Sequence, residues 1–141
     1  MQIKIAETQS EFFQIVRIRA EVFVREQNVD TIIEMDEKDD TAIHVLATLN
    51  QKPAGCLRIL VHDDKVVIGR VAVLKPFRRN HIGKALMNFV ETLPVVKERG
   101  KIEVHAQLTA RDFYLNCGFH EISDIYEEAN IQHVSMEKII Q

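Results

Sequence analysis

The stretch RRNHIGKAL, Arg78 to Leu86, sets two arginines, an asparagine, a histidine, a single glycine and a lysine between the β-branched run VVIGRVAV and a helical pattern. A strand-to-helix junction exposes free backbone N–H groups and the positive end of a helix dipole, which together suit a phosphate. Basic side chains at a helix start oppose the dipole by about 0.3–1 kcal/mol each, and a bound anion reverses that penalty. Two common phosphate-binding patterns fail here. Gly83-Lys84 looks like the end of a P-loop, but the residue five before Gly83 is Arg78, and Ala85 stands where Ser or Thr would hold magnesium. A dinucleotide fingerprint needs three glycines where this stretch has one.

Around this stretch the composition is that of a folded domain. With 141 residues, 46% hydrophobic and 28% charged, the chain is expected to form one domain over residues 1–141 with a sizeable core. A formal net charge of −3 supplies no general basic field, so nucleic acid is not an expected partner and any anion site is local. Apolar runs are too short to span a bilayer, and MQIKIAETQSEFF lacks the apolar core of a signal peptide, so a cytoplasmic protein without a membrane partner is expected. Cys56 and Cys117 fit no metal spacing and read as reduced, packed thiols. The acidic run EMDEKDD lacks the Asp/Asn-Gly spacing of a calcium loop and reads as a solvated loop, so no metal is assigned.

The elements that must position these residues follow from periodicity. QIKIA alternates as a short strand, and Ser10 is expected to cap a helix with an apolar stripe at Phe12, Phe13, Val16, Ala20, Phe23 and Val24. Residues 27–40 read as loop with a short helix. AIHVLATL, AGCLRILV and KVVIGRVAVL read as an antiparallel meander turned at NQKP and HDD. A helix is expected from Ile82 to about Arg99, broken at Pro94 and stopped by Gly100. The strand KIEVHAQ, a short helix Thr109–Asn116 and a closing pair from HEISDIYEE and QHVSMEKII complete a mixed α+β order.

Within that order, VAVLKPFRRNHIGKALM resembles the pyrophosphate-binding segment of the GCN5-related N-acetyltransferases (GNAT), which reads Gln/Arg-x-x-Gly-x-Gly/Ala after a strand. Arg78 and Gly83 match its ends, and His81 stands at the middle glycine. AQLTARDFYLNCGF resembles the family's Asn-x-x-Ala-x-x-x-Tyr-x-x-x-Gly-Phe segment, with Gln107 at the Asn place and Ala110, Tyr114, Gly118 and Phe119 matching. VFVREQNVDTIIEMDEKDDTAIHVLA and EEANIQHVSMEK are similar to a small bacterial subfamily of the ElaA and YjcF type. The resemblance implies the GNAT fold: a mostly antiparallel mixed sheet, flanked by helices, whose parallel fourth and fifth strands splay to admit acetyl-CoA. The strands in question are VIGRVAV and KIEVHAQ.

What the resemblance implies about chemistry can be set on individual residues. Backbone of Arg78, Arg79, Asn80, His81, Ile82 and Gly83, aided by Lys84, would hold the pyrophosphate. Val71, Ala72 and Val73 would hold the pantetheine arm and polarise the thioester carbonyl, and Gln107 and Tyr114 complete the cofactor set. Tyr114 is the expected general acid for the leaving thiolate, its phenol being near pKa 10. Candidate bases are Glu26, Glu34, Asp36, His44, His105 and His133, with Glu34 preferred and His133 second. His44 and His105 lie in strand patterns, where a structural histidine is the default. A bound amine losing its proton to water is an alternative. The expected function is transfer of an acetyl group from acetyl-CoA to an amine, a small molecule or a protein amino group, in a ternary complex. Two others compete: an acyl-CoA-binding module without turnover, and a non-enzymatic nucleotide-binding domain. The acids of residues 27–40 favour a cationic acceptor such as a polyamine or aminosugar, and a homodimer is an admissible assembly.

Overall fold

A computed structural model describes residues Met1–Gln141. Strands β1 (Gln2–Ile5), β2 (Ile43–Leu49), β3 (Lys52–Val61) and β4 (Val66–Val73) pair antiparallel in sequence order. β5 (Lys101–Gln107) then joins β4 in parallel, and β8 (Ile131–Ile139) pairs antiparallel with β5. The expected closing pair is one long strand, β8, bordered by two short ones, β6 (His120–Glu121) and β7 (Tyr126–Glu128). This is the expected mixed sheet, antiparallel everywhere except at β4–β5.

The parallel pairing is brief, running only from Val66↔Ile102 to Ile68↔Val104. Its end coincides with a bulge. Arg58 of β3 faces Gly69 of β4, but Cys56, two residues away, faces Ala72, three residues on. Arg70 absorbs the extra residue at a left-handed φ of +53°. A bulge bends its strand and strengthens its twist. Beyond Ile68, β4 therefore stays with β3 while β5 follows β8 as far as Gln107↔His133. The two strands form a fork.

Helices cover both faces. α1 (Gln9–Arg19) starts at Thr8, not Ser10: the Thr8 hydroxyl accepts from the Glu11 amide at 3.1 Å, and the Glu11 carboxylate accepts from the Thr8 amide at 3.1 Å. That reciprocal pair satisfies two orphan donors, which Ser10 cannot do without a partner three residues on. A π-helical turn, Ala20–Glu26, prolongs α1. The buried face is Ile15, Ile18, Arg19, Val22 and Phe23, rotated from the expected stripe, while Phe13 is 63% exposed. The displacement arises because Arg19 belongs to that face and a purely apolar pattern passes over it. Ile15, Ile18, Val22 and Phe23 pack on Leu46, Cys56 and Ala72.

On the other face lie α3 (Ile82–Thr92), α4 (Pro94–Arg99) and α5 (Arg111–Asn116). The break at Pro94 and the stop at Gly100, φ +74°, are as expected. Ile82, Leu86, Met87 and Val90 of α3 join Leu57, Ile59, Ile68 and Val104 in the larger core. Cys56 is buried and Cys117 half-buried, both free thiols, and burial pushes Cys56 up to about 12. No helix is long and apolar enough to cross a membrane.

Candidate active site

The fork opens into a cleft of about 1070 Å³ that reaches both faces of the sheet. A neighbouring depression of about 540 Å³, sharing Val73, Arg78, Gly83 and Phe113 with it, lies along the loop before α3. In that loop Arg79 has φ +73° and His81 φ +59°, both left-handed. Histidine thus adopts the conformation a glycine takes at no steric cost, and it is one of the few side chains to do so with any frequency. The alternation curls the chain so that the backbone amides from Arg79 through Lys84 donate to no carbonyl or side chain of the protein. Successive unpartnered N–H groups in such a curl form an anion-binding concavity. The Arg79 and Lys84 side chains are exposed and free of carboxylates.

Gly83 is constrained from its other side. A Cβ there would meet the Phe113 ring at 3.2 Å, so the glycine lets α5 lie against the first turn of α3. Asn80 braces the loop, donating from its side-chain amide to the Phe77 carbonyl at 2.9 Å. Arg78, expected to reach phosphate, is engaged elsewhere. Its Nε donates to the Val73 carbonyl at 2.9 Å, and its Nη2 lies 3.0 Å from the Glu26 carboxylate. Beside it, Gln107 donates to the Gln27 side chain at 2.7 Å. The end of the π-helical turn is thereby clasped to both prongs of the fork. Val71, Ala72 and Val73 line the cleft along the β4 edge that β5 has left.

Tyr114 is 6% exposed, edge-on to Phe113 and Phe119 at ring distances of 5.0 and 5.6 Å. Its ring belongs to the core, and the residue also lines the cleft. Its hydroxyl has no partner in the protein and is not among the sealed unsatisfied atoms. Burial raises its pKa, keeping the phenol protonated.

On the opposite face of the fork, the acidic loop is only partly solvated. α2 (Thr31–Glu34) and the 3₁₀ turn Glu37–Asp40 are capped by Asp30 and Asp36, and Glu34, Asp36 and Asp39 turn inward while Glu37 and Asp40 stay exposed. Glu34, 3% exposed, receives Arg19 Nε at 2.8 Å and lies 3.2 Å from Arg70 Nε. Asp39 receives Arg19 Nη1 at 2.7 Å and Arg58 Nη1 at 3.0 Å, and Asp36 receives Arg58 Nη1 at 2.7 Å. Burial alone would raise the Asp39 carboxyl, but Arg19 and Arg58 outweigh it and hold it at about 2. Of the carboxylates counted as an attraction for cationic acceptors, Glu34, Asp36 and Asp39 are thus matched by guanidinium groups. Glu34 lines the cleft with its charge already bound to two arginines.

The remaining candidate bases are scattered. His44 is buried against the Asp39 carbonyl at 2.9 Å, and Glu26 belongs to the clasp. His133 lines the cleft but is 6% exposed, stacked on Tyr126 at 6.0 Å, its Nδ1 2.7 Å from the Ile131 carbonyl. His105 lines the cleft beside Glu103, with Nε2 to Oε2 at 2.9 Å. Sequence reasoning missed Arg19, Arg58 and Arg70. Their signal was a charge inside each apolar pattern, such as CLRIL, opposite an unexplained acidic run. No group of three or more His, Cys, Asp or Glu side chains converges as metal ligands would.

Comparison with known proteins agrees with this geometry. The family profile described as the acetyltransferase (GNAT) domain matches residues 6–140. The chain is 30% identical to the uncharacterized N-acetyltransferase YjcF of Bacillus subtilis, covering 98% of this chain and 99% of that one. It is 32% identical to the protein ElaA of Escherichia coli over 92% of this chain and 88% of ElaA, whose crystal structure superposes with a TM-score of 0.85. The crystal structure of an acyl-CoA N-acyltransferase from Pseudomonas aeruginosa, 26% identical, superposes with a TM-score of 0.83 over 98% of this chain and 99% of that one.

Proposed function

Because the chain belongs to the GNAT acetyltransferase family, we propose that it transfers the acetyl group of acetyl-CoA directly to an amine acceptor, both held at once in the fork. The observation that carries this reading is the meeting of three polar sets along the cleft and the depression that adjoins it. These are the free amides of Arg79–Lys84, the β4 edge at Val71–Val73 that β5 has left and the unpartnered Tyr114 hydroxyl. Acetyl-CoA, when bound, supplies a thioester carbonyl and a thiolate leaving group.

The chain's own residues would act as follows. The amides of Arg79 through Lys84, with the Arg79 and Lys84 side chains, neutralise the pyrophosphate at the α3 dipole. Arg78 contributes through backbone position, its guanidinium bracing Val73 and Glu26. Asn80 fixes the loop, Ile82 anchors it in the core, and Gly83 gives Phe113 its seat. Backbone of Val71–Val73 orients the pantetheine arm and polarises the carbonyl where charge develops. Tyr114 gives its proton to the departing sulfur. Gln107, held to Gln27, flanks the cleft at the end of β5. Acceptor enters from the α1 face, where Glu34 anchors the wall and His133 lines it.

The reading without turnover draws on His81, which replaces a glycine in the pyrophosphate loop. Its left-handed φ of +59° favours the enzyme instead, since the loop keeps the curl a glycine would give it. The deciding experiment is amine-dependent release of CoA from acetyl-CoA across a panel of polyamines, aminosugars, amino acids and peptide amino termini. Release with any member supports the reading. Acetyl-CoA binding without release from any member would leave the binding module, and a melting shift with ATP but not acetyl-CoA would leave the nucleotide-binding domain.

A further inference from the structure

Resting on the acyltransferase reading, we infer that His105 is the general base for the acceptor amine and that Glu103 is its positioning residue. The fork itself makes the first argument. Ile68↔Val104 is the last parallel pair, so His105 is the first β5 residue in the crotch where the strands part. Val104 and Ala106 point into the core beneath α3, and strand alternation sends Glu103, His105 and Gln107 to the α1 face. That face is the one opposite Tyr114. An acid for the thiolate and a base for the amine then lie on opposite sides of the reacting carbonyl, as direct transfer requires.

The hydrogen bonds make the second. Glu103 Oε1 is 3.0 Å from Lys65 Nζ, and its Oε2 is 2.9 Å from His105 Nε2. Burial would raise the Glu103 carboxyl, but His105 and Lys65 outweigh it and lower it, so it is ionised and accepts only. Nε2 therefore carries the proton and Nδ1 the lone pair. Nδ1 has no partner, and the side chain is 41% exposed within the cleft lining. A base oriented by a fixed carboxylate, with its other nitrogen open, is the arrangement general-base catalysis uses.

The competing groups lack one element each. The Glu34 carboxylate is bound by Arg19 and Arg70. His133 spends Nδ1 on the Ile131 carbonyl, and its Nε2 is 3.8 Å from Glu128, an exposed carboxylate. In the step, the amine nitrogen bonds to the carbonyl carbon as the C–S bond breaks. The amine's proton passes to His105 Nδ1, and the thiolate takes the Tyr114 proton. Both residues then return to their starting states by exchange with water.

Facing His105 are Glu103 on its own strand, Lys65 through Glu103, Tyr126 edge-on at 6.5 Å on β7, and His133 and Glu128 beyond Tyr126. The test uses the full chain, with acetyl-CoA and an amine that wild type accepts. His105→Ala should keep the wild-type melting shift with acetyl-CoA and lose roughly 10²–10⁴-fold in kcat, part of it restored by added imidazole. Glu103→Gln should lose less kcat with the acetyl-CoA melting shift and KM unchanged, and Glu103→Asp should recover part of that loss. His105→Ala turning over as fast as wild type, a loss of kcat that imidazole does not restore, or His133→Gln abolishing turnover while His105→Ala keeps it would each overturn the inference. A wild type that binds acetyl-CoA and acetylates no amine would instead overturn the acyltransferase reading and the inference with it.

Discussion

The two faces of the fork are built on opposite plans. On the α3 face the proposed recognition groups are backbone amides from consecutive residues, Arg79 to Lys84, shaped by two left-handed residues and a glycine seat. Facing them across the sheet is a wall of side chains gathered from positions far apart in sequence: Arg19, Glu34, Asp36, Asp39, Arg58 and Arg70. One plan binds through conformation, the other through paired charge. A site made of backbone survives most side-chain changes but fails when its curvature is lost. A site made of matched charges fails when one partner is removed.

Tyr114 stands between the two plans and yields the largest expected effect. Tyr114→Phe keeps the ring packed on Phe113 and Phe119, so melting temperature and acetyl-CoA affinity should hold while kcat falls roughly 10²–10⁴-fold. Early melting would instead make the tyrosine purely a core residue. Next, Arg19→Ala leaves buried Glu34 with Arg70 alone and Asp39 with Arg58 alone, and should cost about 3 kcal/mol in denaturant unfolding. If the faces are independent, the acetyl-CoA dissociation constant of the folded fraction should stay at its wild-type value.

Gly83→Asp is the converse, striking the cofactor face alone. Hundredfold excess of acetyl-CoA over its dissociation constant should stabilise wild type by about 2.7 kcal/mol, and this variant should show no such gain. A retained melting shift would mean that the loop is only a basic helix start. The charged wall has its own signature in acid. The folded value of Asp39, about 2, lies below its unfolded one, so its contribution is complete above about pH 4 and is lost as pH falls towards 2. Over that window wild type should lose about 2 kcal/mol that Asp39→Asn never had. Smallest is His81→Gly. Relief of the left-handed strain and the added chain entropy nearly cancel, so unfolding free energy should move by less than about 1 kcal/mol. Acetyl-CoA binding should weaken modestly as an imidazole beside the phosphates is lost, and tighter binding would mean that His81 crowds the loop.

The same contrast explains what the sequence made legible. Backbone geometry leaves residue types behind, so RRNHIGKAL, the Pro94 break and the Gly100 stop could be read directly, as could the meander from alternation. The fork itself was visible only through resemblance, because the residue that takes the left-handed φ at the bulge is Arg70 and not its neighbour Gly69. Ion pairing between Arg19 and Glu34, or Arg58 and Asp36, leaves no local trace. Each residue alone looks like a misplaced charge or a solvated one, and only the fold brings them to within 2.8 Å. The rotation of α1 relative to its expected stripe has the same origin.

The way the α2 loop is fastened also bears on how such a protein can diversify. The loop's side-chain ion pairs to the scaffold run through Glu34, Asp36 and Asp39, joined by main-chain carbonyls such as that of Glu34, which accepts from Arg19 and Arg70. Ile32, Ile33 and Met35, interleaved with those anchors, are 84%, 52% and 38% exposed, and Ile33 borders the cleft. Mutations at these three positions are therefore free to drift at little cost to folding, while the ionic ties hold the backbone that displays them. Descendants of one ancestor could exchange acceptors by rewriting a few exposed apolar residues, and the machinery on the far side of the sheet would not register the change.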